Sequence, residues 1–414
     1  MSFSQSCVSA AVSTLNTGGR VLRQIGRKLP ELTPDRLVRS ALRRAELTDF
    51  GDWEFREPLQ RLVQAYEEEA NLTLLGRLAA REHIVGLLEN LLYLERNRRL
   101  TPDIELQKIS APVFIVGLPR TGTTVLHNLI ALDTAVRTPV TWEVMFPAGS
   151  KRTPSDTQRS RGRAATQLNW ANRLVPDFKR IHPIGADLPQ ECIALMAQVF
   201  TSALFHTVHR VPSYQDWFEN DAQTMAFDMH HCILQHLQAR RGGERWVLKG
   251  PAHLFSLEPL LRRYPDARLI QTHRDPLVTM PSVASLNTAL RRAFSDRADP
   301  HEIGRDWCAR WARALDRFLE KRDTLPADRF LDIAYEEIVA DPVGAVERIY
   351  DYLGWSLSEE AHAAMNTYLK ANPKDKHGKH RYSLKAFGLD RETERKRFAD
   401  YCARFNIPTG ADTG

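Results

Sequence analysis

The chain has 414 residues, 43% of them hydrophobic and 26% charged. This composition excludes a disordered or collagenous protein and supports a large core, with one principal domain of about 200 to 300 residues plus an appended element. No run of about 18 apolar residues occurs, so no transmembrane helix is expected. The formal charge of +6 is local: residues 20–45 carry Arg20, Arg23, Arg27, Lys28, Arg36, Arg39, Arg43 and Arg44 against Glu31 and Asp35. The rest of the chain is balanced, which gives no reason to expect nucleic-acid binding.

In chain order, the opening MSFSQSCVSAAVSTLNTGG lacks the basic region of a secretory signal, and a cytoplasmic protein is expected. The basic segment 20–45 also carries Val21, Leu22, Ile25, Leu29, Leu37, Val38 and Leu42. Two readings stand for it, a solvated helix face and a surface for peripheral membrane contact or for gathering substrate. Helical periodicity follows over 57–70 and 72–97, giving a helical N-terminal extension over 1–110. At Ala111–Gly117 (APVFIVG) the pattern changes to a buried parallel strand, and RWVLKG (Arg245–Gly250), ARLIQTH (Ala267–His273) and RFLDIAY (Arg329–Tyr335) repeat it. Strands separated by long helical stretches predict an α/β domain with a parallel sheet over 111–395, followed by a tail over 396–414. The polar run 148–165 reads as a mobile loop or lid, and 372–385 as a basic loop. The five cysteines, Cys7, Cys192, Cys232, Cys308 and Cys402, form no CxxC pair, so neither a disulfide framework nor a zinc site is indicated.

The strongest chemical signal is Gly117-Leu118-Pro119-Arg120-Thr121-Gly122-Thr123-Thr124, set between the first strand and the apolar VLHNLIALD. A strand, a glycine turn and a helix N-terminus form a nest of N–H groups backed by the helix dipole, which cradles an anion. The spacing fits the GxxxxG of a phosphate loop, but Thr123 stands where a nucleotide-hydrolysing P-loop places Lys, and the cation lies inside the loop at Arg120.

GLPRTGTT resembles the 5′-phosphosulfate loop of sulfotransferases that use 3′-phosphoadenosine 5′-phosphosulfate (PAPS), in the Arg-containing form of tyrosylprotein and many bacterial members. Three further stretches are similar to the same family. In Tyr264–Pro276, a strand ends at Arg274 before an Asp-Pro helix start, with Ser282 eight residues on; alone, Arg274 reads as a surface ion-pairing residue. Trp246–His253 contains Lys249 at a strand end and His253, and Ile333–Ile338 contains Tyr335. The resemblance implies a three-layer α/β sandwich with a central parallel sheet of the P-loop type. It implies that Gly117, Pro119, Arg120, Thr121, Gly122, Thr123 and Thr124 bind the phosphosulfate, that Arg274 and Ser282 bind the 3′-phosphate, and that Tyr335 packs on adenine unless it is core. Lys379 and His380, in a C-terminal loop that departs from the family's form, are assigned to the 3′-phosphate.

Arg120 and Lys249 would stabilise charge on the departing phosphate. The general base is Glu143 first, with Glu191 and His253 as competitors; Glu191 also reads as a first-turn helix acid and His253 as a helix cap. The implied activity is sulfuryl transfer from PAPS to the hydroxyl of a small-molecule or lipid-like acceptor, with no metal required. The alternatives are a P-loop small-molecule kinase and a non-catalytic, membrane-associated nucleotide-binding protein. Trp170, Phe178, Phe200, Phe205, Tyr214, Trp217 and Phe218 suggest an apolar acceptor pocket, or simply core. The sequence leaves the oligomeric state open.

Overall fold

The central sheet has the strand order β2-β3-β1-β4-β5, all parallel, in a computed structural model that describes residues 3–149, 154–174, 185–221, 223–243, 245–373 and 383–408. The strands are β1 (Val113–Gly117), β2 (Val136–Arg137), β3 (Arg245–Lys249), β4 (Arg268–His273) and β5 (Phe330–Ala334). Four of them coincide with the predicted runs. The two-residue β2 was missed because it is too short to show any periodicity. In β1 every residue is buried, as a strand covered on both faces requires.

The alternation along β1 sorts the core into two layers. Val113 and Ile115 pack in one cluster with Val247, Ile270 and Ile333, under Leu126 and Leu129 of the helix Thr123–Ile130 and Val346 and Ile349 of the helix Pro342–Leu353. Phe114 and Val116 face the other way, into a larger cluster that includes Leu59, Leu62, Ile84, Leu88 and Leu91. Of the N-terminal helices α1 (Phe3–Gln24), α2 (Pro34–Ala45), α3 (Arg56–Glu68) and α4 (Leu74–Leu100), these last residues belong to α3 and α4, which match the predicted periodic segments. The first 100 residues thus complete the lower helical layer of an α/β/α sandwich.

After β1 come α5 (Thr123–Ile130), α6 (Thr141–Met145) and α7 (Pro154–Leu174). α7 corrects the expectation of a loop over 148–165. Its amphipathic signal is thin, resting on Ala164 and Leu168 at i, i+4, both buried, with Asp156 buried beside Arg240 at 3.8 Å. The polar composition hid a helix whose inner face is small and partly charged.

The C-terminal end is likewise packed. Phe398, Tyr401 and Cys402 are buried, and the Tyr401 hydroxyl lies 3.1 Å from His273 Nδ1. Residues 374–382, which include Lys379 and His380, lie outside the described residues. Cys192, Cys232, Cys308 and Cys402 are buried free thiols. Among the described residues no helix is long and apolar enough to cross a membrane.

α4 crosses the C-terminal end of the helix Pro276–Phe294 at Gly76, where a Cβ would sit 2.0 Å from the Phe294 carbonyl oxygen. Gly76→Ala should therefore cost about 1–3 kcal/mol by overpacking. Gly86→Ala, in the same helix with nothing within 4 Å of the new carbon, should gain about 0.5–1 kcal/mol from helix propensity. Urea unfolding of the two variants checks both signs, and equal behaviour would mean that α4 does not approach Phe294 so closely.

Candidate active site

β1 is central, and its parallel neighbours end on either side of its C-terminal turn: Ile115 is in register with Lys249 of β3, and Gly117 with Thr272 of β4. This is a switch point of the strand order, where open α/β sheets form their clefts. Gly117 adopts φ +137, and a Cβ there would lie 2.5 Å from the Thr272 carbonyl oxygen. Gly122 adopts φ +92, with a Cβ position 2.8 Å from Ile338 Cδ1. Both positions require glycine, one for close approach to a strand and one for the turn into α5.

Between them, Thr121 is fully buried. Its hydroxyl donates to the Leu118 carbonyl at 2.6 Å and lies 2.6 Å from the Thr272 hydroxyl. Thr121 thus fastens the loop to itself and to β4. Arg120 holds φ +73, and its carbonyl accepts a bond from Arg274 Nη1 at 2.9 Å. α5 then begins at Thr123 and offers the N–H groups of its first turn, the positive end of its dipole, to an anion.

Two cations flank the loop. Lys249 is nearly buried; its ammonium forms an ion pair with the Glu191 carboxylate and donates to Thr124 Oγ1 at 3.3 Å. Arg274 lies with its guanidinium carbon 3.8 Å from the centre of the Tyr335 ring, a cation–π contact. Burial lowers the Arg274 pKa from the ordinary arginine value, the nearby Arg120 charge adding to that shift. In the helix Pro276–Phe294 that follows Arg274, Ser282 Oγ is buried with no hydrogen-bond partner among the described residues.

A cavity of about 410 Å³ opens beside the loop, with Lys249 and Ser282 outside its lining. Pro119, Arg120, Gly122, Thr123 and Thr124 line it from the loop, with Glu191, Arg274 and Tyr335 beside them. Its remaining walls are mainly apolar and come chiefly from three helices, Leu204 and Val208 of Leu204–Val208, Val283, Leu286 and Leu290 of Pro276–Phe294, and Trp307 and Trp311 of Pro300–Arg322, with Ile193, Ala194, Pro251 and Ala252 adding to them.

The three base candidates separate cleanly. Glu143, the first choice, is wholly buried away from the cavity lining and accepts from Arg137 (2.7 and 3.0 Å), Arg241 (3.1 Å) and the Val140 N–H (3.2 Å). It anchors the β2 edge, and the geometry does not bring it to the loop. Spacing from the phosphate loop could not reveal this, because Arg137 and Arg241 reach Glu143 only in the fold.

His253 also misses the cleft. It packs against Phe114 and Phe227 with ring centres 5.2 and 5.6 Å apart, and both ring nitrogens lack partners among the described residues. Glu191 alone of the three lines the cavity. Of the aromatics expected around a pocket, Phe200, Phe205, Tyr214 and Phe218 are buried in the core, Trp217 is partly buried against it, Trp170 is 54% exposed, and Phe178 lies outside the described residues. The pair that does line the cavity, Trp307 and Trp311, was passed over, although their i, i+4 spacing on a long helical run was a readable signal. No group of three or more His, Cys, Asp or Glu side chains converges as for a metal ion among the described residues.

Residues 112–359 match the family described as the Sulfotransferase family, more than half of the chain, and the chain belongs to it. The fold is similar to the crystal structure of sulfotransferase STF1 from Mycobacterium tuberculosis H37Rv, at 33% identity and a TM-score of 0.79 over 89% of this chain and 99% of that one. It is similar also to that of STF9 from Mycobacterium avium, at 26% identity and a TM-score of 0.81 over 92% of this chain and 99% of that one. Such coverage takes in much of the N-terminal helical region as well as the α/β part. Among curated proteins, the omega-hydroxy-beta-dihydromenaquinone-9 sulfotransferase Stf3 of Mycobacterium bovis is 27% identical over 257 residues, 59% of this chain, and the chain spans 62% of that relative's length.

Burial holds His127, His209 and His253 down at about 3. The unfolded chain protonates these rings near pH 6.5 and the folded chain does not. Their contribution to stability is therefore complete above about pH 6.5 and is lost progressively as pH falls toward 3, by up to about 1.4 kcal/mol per pH unit for each ring. The urea midpoint should drop steadily between pH 7 and pH 5, and less steeply in His253→Phe. A midpoint independent of pH would contradict the burial of these rings.

Proposed function

We propose that the protein transfers a sulfuryl group from PAPS to the hydroxyl of an apolar, lipid-like acceptor, with Glu191 as the general base. The observation that carries this reading is the cavity itself, which joins the anion-cradling loop, a carboxylate paired with a lysine, and a largely apolar wall of three helices. The printed name of the relative Stf3, an omega-hydroxylated menaquinone sulfotransferase, supports a long hydroxylated acceptor.

The residues present fit PAPS. The loop turn carries glycines at the close approaches, Ser282 Oγ is a buried polar atom without a partner among the described residues, and Arg274 and Tyr335 stand together beside the loop. PAPS supplies the sulfuryl group and a phosphate leaving group. The N–H groups of the loop and of α5, with Arg120 and Lys249, would hold the 5′-phosphosulfate, Arg274 and Ser282 the 3′-phosphate, and Tyr335 the base. Lys379 and His380 are kept as further 3′-phosphate ligands by resemblance alone.

The chain's own groups divide the work as the acceptor O–S bond forms and the S–O bond to phosphate breaks. Glu191 takes the hydroxyl proton on a carboxylate oxygen, as a base lining the cavity can. Lys249 and Arg120 meet the negative charge that grows on the leaving phosphate oxygen, in a site where water is largely excluded. The apolar walls exclude water and orient the acceptor chain.

Glu191→Gln keeps the shape but cannot take the proton, so kcat should fall by roughly 10² to 10⁴ with PAP affinity retained. Arg120→Ala should lower kcat by roughly 100-fold or more. Arg274→Ala should raise KM for PAPS roughly tenfold or more while leaving adenosine 5′-phosphosulfate, which lacks the 3′-phosphate, nearly unaffected. Assays with labelled PAPS on a panel of hydroxylated lipids check all three. Full activity in Glu191→Gln with loss in Glu143→Gln would move the base to Glu143 despite its burial, and equal losses on both donors would remove Arg274 from the 3′-phosphate.

A further inference from the structure

The segment at the end of α1 and the start of α2 has a face that the reaction does not use. Val21, Ile25 and Leu29 are 55%, 67% and 43% exposed, large apolar side chains four residues apart in a chain that otherwise buries most of its leucine, isoleucine and valine. Leu29 also lines a second cavity of about 440 Å³, together with Arg36, Arg39, Ser40, Arg43 and Arg81 among others. Its one acidic lining residue, Glu31, is paired with Arg36 at 2.9 Å, and Arg81 is shared with Glu82 and the Ser40 hydroxyl. Arg39 and Arg43, with Arg27 on the intervening turn, are exposed and have no carboxylate partner among the described residues.

The other bases of the segment are engaged within the molecule. Arg20 and Arg23 pair with Asp296, Lys28 with Glu67 at 3.6 Å, and Arg44 with Glu82 at 2.8 Å. The positive charge left over therefore lies on Arg27, between Ile25 and Leu29 in the chain, and on Arg39 and Arg43, which line the cavity with Leu29. A purely solvated helix face accounts for the arginines but gives no reason to present Val21, Ile25 and Leu29 to water in the same place.

We propose that this face docks on an anionic lipid bilayer, with Val21, Ile25 and Leu29 entering the headgroup region and Arg27, Arg39 and Arg43 meeting the lipid phosphates. Apolar insertion and electrostatic attraction act together in interfacial helices, and neither suffices alone at this size. The arrangement also bears on access. Arg20 and Arg23 tie α1 to Asp296, two residues past the end of the helix Pro276–Phe294, whose Leu290 lines the cavity of about 410 Å³. The docking face is thereby fixed to the helix that forms a cavity wall, and a lipid-like acceptor could be drawn from the surface on which the protein sits. The proposal rests on the sulfotransferase reading only for this purpose, and not for the binding itself.

Co-sedimentation of the full chain with vesicles tests it. Binding should be at least roughly tenfold stronger to mixed phosphatidylglycerol and phosphatidylcholine vesicles than to phosphatidylcholine alone. It should weaken strongly between about 0.1 and about 1 M salt, as the screening length shortens from about 10 to about 3 Å. Ile25→Asp, and separately Arg39→Glu with Arg43→Glu, should each reduce binding roughly tenfold or more while leaving the melting temperature and PAP affinity unchanged. Equal or absent pelleting on both vesicle types overturns the proposal. So does full competition by inorganic phosphate or glycerol phosphate at modest concentration, which would mark a small-anion site. PAP affinity, measured in solution by calorimetry, reports separately on the sulfotransferase reading: a chain that pellets on anionic vesicles but binds no PAP refutes that reading and leaves the docking face standing.

Discussion

Everything chemical in this protein depends on how closely β1 can lie against β4 at its C-terminal end. A side chain at Gly117 would collide with the Thr272 carbonyl, and because none is present the hydroxyls of Thr121 and Thr272 come within 2.6 Å of each other. This contact fixes the start of the phosphate loop relative to the sheet. The parallel register does the rest. It sets Lys249 at the end of β3 on one side and Arg274 just past β4 on the other, so that two cations from distant parts of the sequence frame one turn.

Two carboxylates of this chain, Glu143 and Glu191, sit in different surroundings. Glu143 is enclosed by two guanidinium groups and a backbone N–H, which leaves it little to do except hold the sheet edge. Removing either arginine would leave a buried charge poorly compensated, the costly case for an interior ion pair. Glu191 pairs with Lys249 and keeps a side toward the cavity, whose lining it joins. A group that must exchange a proton with a ligand has to retain such a side, and in this structure Glu191 does.

The N-terminal helices are bound up with the same arrangement. Phe114 and Val116, on the lower face of β1, pack into the cluster that holds Leu88 and Leu91 of α4. Gly76 of the same helix sits against the end of the cavity-wall helix. The helical layer therefore supports the strand that carries the loop and the helix that shapes the cavity wall. Its outermost part, from Val21 to Arg43, is the portion with charge and apolar surface to spare.

Some of this is legible in the sequence because it rests on local chemistry. A wholly apolar run followed by glycines and a helix start specifies a buried parallel strand and an anion-binding turn, and β1 was readable on that ground; β3, β4 and β5 were readable as short, largely apolar runs between long helical stretches. The α/β class and the phosphate loop follow from short-range patterns of this kind. Other features depend on contacts between residues far apart in the chain. Whether Glu143 or Glu191 faces the loop is decided by Arg137 and Arg241 closing around one and Lys249 meeting the other. That Trp307 and Trp311 line a cavity while Phe200 and Phe205 fill the core depends on which helix faces meet. α7 was hidden because its buried face is made of Ala164, Leu168 and an ion-paired aspartate rather than a broad apolar stripe. Local pattern determined the strands and the turn; only tertiary packing, which sets burial and charge pairing, decided which side chains the site would contain.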